Sequence, residues 1–345
     1  MKKLHTKMSE SLVGFVRRFI VSEEMRRKIR KIFCPASKVY INHKDTVSKI
    51  RKLSDPVTAW RNFVIGLDDD SAITATRSLA ITDSDYSKLS EILTPREYND
   101  YMYSRIKLKT GVFKIHDECY AFGKYLLPVN QFGYSVFCAR HGIDTIDLSK
   151  IQQDSVIIDA GGYIGDSALV LCKYFKNKIY SFEAMQENYE LLLKTIKLND
   201  AAERIIPVRC ALSDGKTKLF SDVFTDNHYK NSGSKFYGSF RTSNMPSGEE
   251  LPNVALDDYV IKHDLKVALI KVDVEGGEQS FLHGAKETIT RDKPILLLSI
   301  YHSWNDLDYF KIKEMIESWD LGYTFRLFKP MDNTVLGETL LICEQ

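Results

Sequence analysis

The sequence predicts an α/β fold with a mostly parallel sheet, and three observations support this prediction. The first is a strand, a glycine turn, a helix and a second strand in direct succession over 156–183. The second is a series of further apolar runs of strand length at 205–210, 267–274 and 295–300. The third is a closing pair of strand-like segments, 324–328 and 335–343, which predicts a terminal hairpin. Helical patterns at 187–198 and 279–289 separate neighbouring strands, as in parallel sheets covered by helices.

The first of these segments has the order of a βαβ unit. An apolar strand ends on Asp159 and leads into a turn that contains three glycines: Gly161, Gly162 and Gly165. A segment with helical spacing, 167–175, follows the turn. The second apolar strand, 179–182, then ends on Glu183. This order is typical of domains that bind a nucleoside-bearing cofactor.

The chemistry of this unit indicates which cofactor it would bind. Glycines let a ligand lie against the backbone, and the helix N-terminus offers free N–H groups. Glu183 can accept two hydrogen bonds from ribose hydroxyls. Tyr163 stands two positions after Gly161, where a bulky residue argues against the pyrophosphate of a nicotinamide dinucleotide. Asp159 would repel phosphate but suits an ammonium group, so we predict S-adenosylmethionine, and an ordinary βα turn is the alternative.

Charged residues also lie at the end of the predicted strand 267–274. The strand alternates, and Lys271, Asp273 and Glu275 share one face. Such residues are costly between apolar neighbours unless they are paired or functional, and the carboxyl ends of parallel strands are where α/β folds place their sites. We predict Asp273 and Glu275 as site residues. For Lys271 an ion pair with an acid remains equally open, and Glu278 fits a helix N-terminus.

His302 follows the apolar strand 295–300, at the sheet edge where Asp273 is predicted to lie. A single histidine is more often structural than catalytic, but this one lies among aromatic residues at a predicted site. A role as general base or acceptor contact and a structural role both remain open.

The composition argues against several classes of protein. The 345 residues carry a net charge of +2, which gives no basis for binding nucleic acid. Six cysteines are scattered without metal-site spacing, and most lie in apolar runs, which is typical of a reducing compartment. The most apolar run, 295–300, is far too short to span a bilayer. We predict a cytoplasmic protein.

The chain divides into a predicted helical extension, 1–110, and a second unit, 111–345. Residues 1–32 are basic and predict an amphipathic helix. A contact with a membrane surface or a partner is one interpretation, and packing on its own domain is the favoured one. The helical pattern of 45–107, with a helix start at Thr94, predicts an extension or an oligomerisation element, so a homo-oligomer remains open.

A polar, aromatic segment at 221–253 interrupts the second unit. A loop of this length inside a compact domain is usually functional or disordered. It contains side chains suited to covering a substrate: Lys235, Phe236, Tyr237 and Arg241. A simple surface excursion is the alternative interpretation.

The motifs gathered so far resemble the FkbM family of S-adenosylmethionine-dependent methyltransferases. The most distinctive match is the Lys-x-Asp-x-Glu-Gly-x-Glu element at 271–278. Further matching pieces lie at 158–166, 182–183, 210–214, 255–259, 294–302 and 337–340. The resemblance covers roughly 112–345. Ala184 and Thr195 stand where the family commonly has proline and asparagine, both at scaffold positions.

The resemblance implies a Rossmann-like class I methyltransferase fold, in which a seven-stranded sheet has helices on both faces and an antiparallel last strand. It implies O-methylation of a hydroxyl, often on a sugar, a glycan or a secondary metabolite. In this chain Asp159, Gly161 and Gly165 would hold the methionine end of the cofactor and Glu183 the ribose. Ser213 and Asp214 would lie near the adenine, and Asp273 beside the reacting methyl. The full predicted set of cofactor contacts is Asp159, Gly161, Gly162, Tyr163, Gly165, Asp166, Glu183, Ala184, Ser213, Asp214 and Asp273.

The predicted catalytic residues are Asp273, His302 and Glu275. Alignment of the acceptor hydroxyl supplies most of the rate, and Asp273 or His302 takes its proton. Glu275 orients the acceptor or, with Asp273, holds a divalent cation, but two carboxylates are a weak signal and no metal is predicted. The alternative from another class is a catalytically silent scaffold protein, for which Asp159, Glu183 and Asp273 together would be unnecessary.

Overall fold

The computed structural model describes residues 44–84, 86–223, 238–241, 250–302, 308–331 and 337–345. The predicted basic helix at 1–32 and the side chains of Lys235, Phe236 and Tyr237 lie outside these residues. Among the helices that the structure describes, none combines the length and the apolar character that a membrane span requires.

The described chain begins with helices, as the sequence predicts. They are α1 (Lys44–Arg51), α2 (Pro56–Val64), α3 (Asp69–Thr82), α4 (Leu89–Ile92) and α5 (Pro95–Gly111). The predicted start of α5 is confirmed: the Thr94 hydroxyl accepts from the backbone N–H of Glu97, and the Glu97 carboxylate accepts from the backbone N–H of Thr94. This reciprocal capping box satisfies two N–H groups that a helix start leaves open.

A small antiparallel sheet follows directly after α5. Its strands are β1 (Val112–His116), β2 (Cys119–Phe122) and β3 (Tyr125–Leu127). The next helix is α6 (Tyr134–Phe137), and 3-10 helices follow it at Arg140–Thr145 and Leu148–Lys150. Gly142 interrupts helical geometry there with a φ of +71°.

The central sheet has seven strands, which alternate along the chain with helices. They are β4 (Val156–Ala160), β5 (Ile179–Phe182), β6 (Ile205–Val208), β12 (Val267–Val272), β13 (Ile295–Ser299), β14 (Thr324–Phe328) and β15 (Leu340–Glu344). Their order is β14-β15-β13-β12-β4-β5-β6. Only β15 runs antiparallel to its neighbours β13 and β14. The predicted seven-stranded sheet with an antiparallel closing hairpin is therefore confirmed.

Helices cover both faces of this sheet. They are α7 (Asp166–Tyr174), α8 (Gln186–Leu198), α9 (Leu256–Lys262), α10 (Glu278–His283), α11 (Lys286–Asp292) and α12 (Asp308–Glu317). Alternate strand residues enter two separate apolar clusters, so that Ile157 packs with α7 and α8 while Ile158 packs with α10 and α11. Strands that are buried on both faces consist of continuous apolar residues, and these runs made the strands predictable from the sequence.

Two N-terminal helices share the core of the sheet. Phe63 of α2 packs against Phe310 of α12, with ring centroids 4.7 Å apart, and Ala75 of α3 lies in the same apolar cluster. The backbone N–H of Leu327 in β14 donates to the Ser71 hydroxyl at 2.8 Å. The predicted division at 110 stays a prediction, although α5 ends at Gly111 and β1 begins at Val112.

The segment predicted as one long loop, 221–253, contains strands, so that prediction is wrong for its described residues. β8 (Leu219–Val223), β9 (Gly238–Arg241) and β10 (Glu250–Leu251) pair as an antiparallel sheet. β11 (Asn253–Ala255) pairs in parallel with β7 (Ala211–Ser213). These strands have two to five residues and lack the continuous apolar runs that mark the central strands, so the sequence did not reveal them.

The turn after β4 lies in direct contact with the end of β12. Gly161 has a φ of +79°, and a Cβ there would lie 1.9 Å from the carbonyl oxygen of Asp273. A hydrogen bond from the Asp273 N–H to the Ala160 carbonyl, 3.0 Å long, joins the two segments. Only glycine allows this approach, which brings the glycine turn and Asp273 to one place.

Gly161→Ala is expected to destabilise the protein far more than a left-handed backbone alone explains. Gly322 is the matched control, because its φ is +80° and nothing lies within 4 Å of an added Cβ. We expect Gly322→Ala to cost about 1–2 kcal/mol in free energy of unfolding, measured by urea denaturation. Gly161→Ala should cost at least twice as much, and equal losses in the two variants would contradict the steric explanation.

Candidate active site

The glycine turn and the acidic end of β12 lie where the strand order of the sheet reverses. From β4 the chain continues outward through β5 and β6 on one side, and β12 pairs with β4 on the other. In open α/β sheets, ligands bind in the crevice beyond the carboxyl ends of the strands at such a switch point. Asp159, the glycine turn and Asp273 all lie at this point, as the sequence predicts.

The glycine turn is held against β5 by its backbone. The N–H groups of Gly161 and Gly162 both donate to the carbonyl of Phe182, at 3.1 Å and 2.8 Å. A Cβ on Gly162 would lie 2.2 Å from the Ser181 hydroxyl, and one on Gly165 would lie 2.7 Å from the Leu192 side chain. The three glycines are therefore needed for packing of the turn itself, and their contact with a cofactor stays a prediction.

Asp159 and Lys271 form a buried ion pair below this turn. Lys271 Nζ lies 3.2 Å from Asp159 Oδ1, and the two side chains are 4% and 0% exposed. Lys271 also donates to the carbonyl of Gly161 at 2.7 Å. Burial opposes the charge of Lys271, but the carboxylates of Asp159, Asp273 and Asp166 outweigh it and raise the lysine pKa. Of the two roles left open for Lys271, the structure shows the ion pair.

The carboxylate of Asp159 is also hydrogen bonded to two hydroxyls. Ser167 in the first turn of α7 donates to it at 3.0 Å, and Ser181 of β5 donates at 2.8 Å. With Lys271, these partners tie together β4, β5, β12 and α7. Because the carboxylate is fully buried, its predicted contact with the cofactor's ammonium stays a prediction that this geometry does not favour.

Glu183 lies where β5 ends, next to the glycine turn. Its Oε2 accepts from the Tyr163 N–H at 2.9 Å, and its Oε1 accepts from the Met185 N–H at 2.8 Å. These bonds fix the carboxylate and leave further lone pairs for ribose hydroxyls. Burial raises the pKa of Glu183 to about 7, and it raises the pKa of Asp166, at the start of α7, to about 6.

The remaining predicted cofactor contacts lie at neighbouring strand ends. The Ser213 hydroxyl donates to Asn253 Oδ1 at 2.8 Å, and the Asp214 carboxylate accepts from the N–H groups of Lys216 and Thr217. Ala184 is buried in a small apolar cluster with Met185. These side chains stabilise the turn beside β7, and their contact with adenine stays a prediction.

Four side chains beyond the ends of β12 and β13 form a second group, which we call the carboxylate–histidine cluster: Asp273, Glu275, Glu278 and His302. His302 Nδ1 lies 2.8 Å from Glu278 Oε1. His302 Nε2 lies 3.5 Å from Asp273 Oδ1 and 3.4 Å from Glu275 Oε2. Burial opposes a charge on the imidazole, but Glu278, Glu275 and Asp273 outweigh it and raise the His302 pKa to about 10.

Two side chains of the cluster are open to solvent and two are buried. The side chains of Asp273 and Glu275 are 20% and 51% exposed, while His302 and Glu278 are buried. The hydroxyl of Tyr301 donates to Asp273 at 3.2 Å. Glu278 lies at the start of α10, as predicted, and also accepts from the Val274 N–H at 3.2 Å. Its pairing with His302 was not predicted.

Sequence analysis did not single out His141, a buried histidine whose pKa responds to the charges of the site. Its side chain is buried, and burial together with the charge of Lys271 lowers its pKa to about 4 despite the opposing charges of Asp273 and Asp159. Among the described residues, no hydrogen-bond partner faces its Nε2. It precedes Gly142 in the 3-10 segment with a φ of +47°, and no sequence motif marks it.

The charges of the crevice indicate what it binds. Five carboxylates lie at this edge: Asp159, Asp166, Glu183, Asp273 and Glu275. The ammonium of Lys271 is paired with Asp159. Such an edge repels the phosphates of a dinucleotide and attracts a cation that carries a ribose. The fold and site together define the class of Rossmann-like S-adenosylmethionine-dependent methyltransferases.

Comparison with known proteins agrees. Residues 159–327 match the model of the methyltransferase FkbM domain. Methyltransferase sdnD of Sordaria araneosa is 26% identical over 184 residues, which cover 46% of this chain and 69% of that protein. The crystal structure of methyltransferase FkbM from Methylobacillus flagellatus KT matches with a TM-score of 0.53 and 19% identity. That match covers 88% of this chain, and the chain spans 62% of that structure's length.

Residues 159–327 thus match the FkbM methyltransferase domain. The resemblance inferred from the motifs is confirmed, as are the α/β fold class and S-adenosylmethionine as the cofactor. In the bound complex, S-adenosylmethionine would supply an electrophilic methyl group on a sulfonium. The roles of individual site residues remain predictions.

Breaking the Asp159–Lys271 pair is expected to be costly. Lys271→Met leaves a buried carboxylate without its counter-ion, so we expect a loss of about 3–5 kcal/mol in free energy of unfolding. Asp159→Asn combined with Lys271→Met should recover part of that loss. Arg51→Met is the control, because the Arg51–Asp83 pair is 65% and 41% exposed and should contribute less than about 1 kcal/mol. A double variant no more stable than Lys271→Met would show that the pairing is not the cause.

Glu183 is expected to make stability fall as pH rises. Its folded pKa of about 7 lies above the ordinary 4.5, so the folded state holds a proton that the unfolded state releases between these values. From pH 4.5 to 8, the free energy of unfolding of Glu183→Gln, relative to the unsubstituted protein, should rise by up to about 3 kcal/mol. The measurement is urea denaturation without cofactor. Glu187→Gln, at an exposed position in α8, should show no such rise.

Proposed function

We propose that this protein is an O-methyltransferase that transfers a methyl group from S-adenosylmethionine to a hydroxyl of a sugar, a glycan or a secondary metabolite. The observation that supports this most is the contact of Gly161 with Asp273. It brings a partly exposed carboxylate to the turn that would hold the methionine end of the cofactor. The acceptor class itself is an inference from the family.

Positioning would account for most of the rate. Glu183, fixed by Tyr163 and Met185, would orient the ribose, and the glycine turn would fix the methionine end beside Asp273. An acceptor hydroxyl aligned with the methyl group needs no strong activation, because proximity and orientation supply much of the barrier reduction. The acidic edge would also favour the positive charge of the sulfonium over a phosphate-bearing ligand.

The acceptor proton would leave toward the exposed carboxylates. Asp273 and Glu275 are accessible, whereas His302 is 4% exposed and both its ring nitrogens face carboxylates. A general base must come within hydrogen-bond reach of the proton it takes, so the geometry favours Asp273 over His302 in that role. His302 would then position Asp273 and Glu275. The buried side chain of His141 is within the electrostatic influence of Asp273, so it would help to shape this end of the crevice.

A net charge of +2 and an acidic crevice support a small-molecule or glycan acceptor over nucleic acid. A cytoplasmic location, a membrane or partner contact through residues 1–32 and a homo-oligomer remain predictions from the sequence. The catalytically silent scaffold remains the alternative, since a retained fold does not by itself require turnover.

Calorimetric titration with S-adenosylhomocysteine tests this proposal. We expect binding in the micromolar range, at least tenfold weaker binding in Glu183→Ala, and no binding of a nicotinamide dinucleotide. Glu187→Ala, four positions further along at an exposed site, should bind like the unsubstituted protein.

Two outcomes separate the alternatives. If the folded protein binds no S-adenosylhomocysteine, the methyltransferase proposal is wrong and the scaffold alternative stands. If it binds, labelled S-adenosylmethionine is incubated with panels of sugars, glycans and hydroxylated metabolites. Label transfer to a hydroxyl would support O-methylation, and transfer to an amine alone would contradict it.

A further inference from the structure

We propose that Asp273, Glu275 and His302 bind a divalent metal ion beside the predicted methyl-transfer site. One oxygen of each carboxylate and Nε2 of the histidine would be the ligands. The carboxylates alone gave too weak a signal in the sequence, and the third ligand, His302, comes from the segment that follows β13, a different part of the chain. The function of the ion rests on the proposed methyl transfer, whereas the site itself does not.

The distances among the ligand atoms suit a metal ion. His302 Nε2 lies 3.4 Å from Glu275 Oε2 and 3.5 Å from Asp273 Oδ1, and all three ligand atoms lie within 4.8 Å of one another. Ligands about 2.1 Å from an octahedral ion are about 3.0 Å apart when adjacent and about 4.2 Å apart when opposite. A small rotation of the half-exposed Glu275 side chain would complete this geometry.

The histidine is oriented as a metal ligand. Nδ1 is engaged by Glu278 at 2.8 Å, which leaves Nε2 directed at Asp273 and Glu275. Nε2 is buried, and no hydrogen-bond partner meets it among the described residues. A buried nitrogen without a partner is unfavourable, and a carboxylate behind a ligand histidine is the usual support of metal sites. Glu278 would fix the tautomer whose Nε2 lone pair faces the ion.

The net negative charge of the carboxylate–histidine cluster also favours a bound cation. Three carboxylates surround His302, so even a charged imidazole would leave two negative charges on the cluster. Lys271, the nearby ammonium, is held by Asp159 and by the carbonyl of Gly161. Carboxylates brought together with incomplete compensation are costly, and a divalent cation would neutralise the remainder.

The ligand set selects a class of ion and a role for it. A site with two oxygen ligands and one imidazole nitrogen suits a first-row transition ion such as Mn²⁺ better than a site with oxygen ligands alone. Three protein ligands leave coordination positions open, and one could take the acceptor hydroxyl and lower its pKa. Because Asp273 would be a ligand of the ion, the hydroxyl proton would then pass to water instead of to Asp273. The oxygen would bond to the methyl carbon, and sulfur would keep the electron pair of the broken bond.

Mn²⁺ binding to the protein, first stripped with a chelator and dialysed, tests this site. Calorimetry and the loss of the free Mn²⁺ paramagnetic resonance signal should both show binding by the full chain. Glu275→Gln, Asp273→Asn and His302→Gln should each weaken binding at least tenfold. Glu278→Gln should weaken it about tenfold, because Glu278 holds the His302 ring in place. Asp258→Asn, at an exposed position, is the matched control and should bind normally.

Each result supports or overturns the proposal. Thermal unfolding without metal shows that each variant is folded, and Mn²⁺ should raise the midpoint of the unsubstituted protein but not that of Glu275→Gln. No Mn²⁺ binding by the folded protein up to about 1 mM, or equal binding by all three ligand variants, would overturn it. Mn²⁺ binding without S-adenosylhomocysteine binding would support the metal site and contradict the proposed function. S-adenosylhomocysteine binding without Mn²⁺ binding would support the proposed function and contradict the metal site.

Discussion

The buried pair of Asp159 and Lys271 is the interaction on which the rest of the site depends. It joins the ends of β4 and β12, the two strands at which the sheet order reverses. Lys271 also holds the carbonyl of Gly161, and Asp159 holds the hydroxyls of β5 and α7. Four elements are thereby aligned around one ion pair. Removing either partner would leave a charge in the interior, so the arrangement is strongly specified.

The crevice above this pair combines fixed and accessible carboxylates. Glu183 is immobilised by two backbone N–H groups, whereas Asp273 and Glu275 are partly exposed toward the open side. In the proposed transfer, the rigid carboxylate would suit the ribose of the cofactor, and the accessible carboxylates would suit the methyl acceptor. The carboxylate–histidine cluster is supported from behind by Glu278, which is itself anchored at the start of α10.

The sequence was sufficient for features that depend on neighbouring residues. Apolar runs located all seven strands of the sheet, Thr94 and Glu97 located a helix start, and Glu183 at a strand end indicated the cofactor. Features that depend on contacts between distant segments were missed or left open. The pairing of Lys271 with Asp159, the support of His302 by Glu278 and the position of His141 all require the register of the sheet. The strands around β8 lack the continuous apolar runs that mark the central strands, so the sequence did not reveal them.

The packing of α3 against β14 limits how this protein could be rearranged in evolution. β14 is the edge strand of the sheet, and its outward N–H at Leu327 is taken by Ser71, while Phe63 and Ala75 complete the core behind it. An unprotected edge invites pairing with other chains. A gene fusion or truncation that removed the N-terminal helices would therefore leave an edge strand with unpaired backbone groups. Recombination would have to transfer these helices together with the sheet.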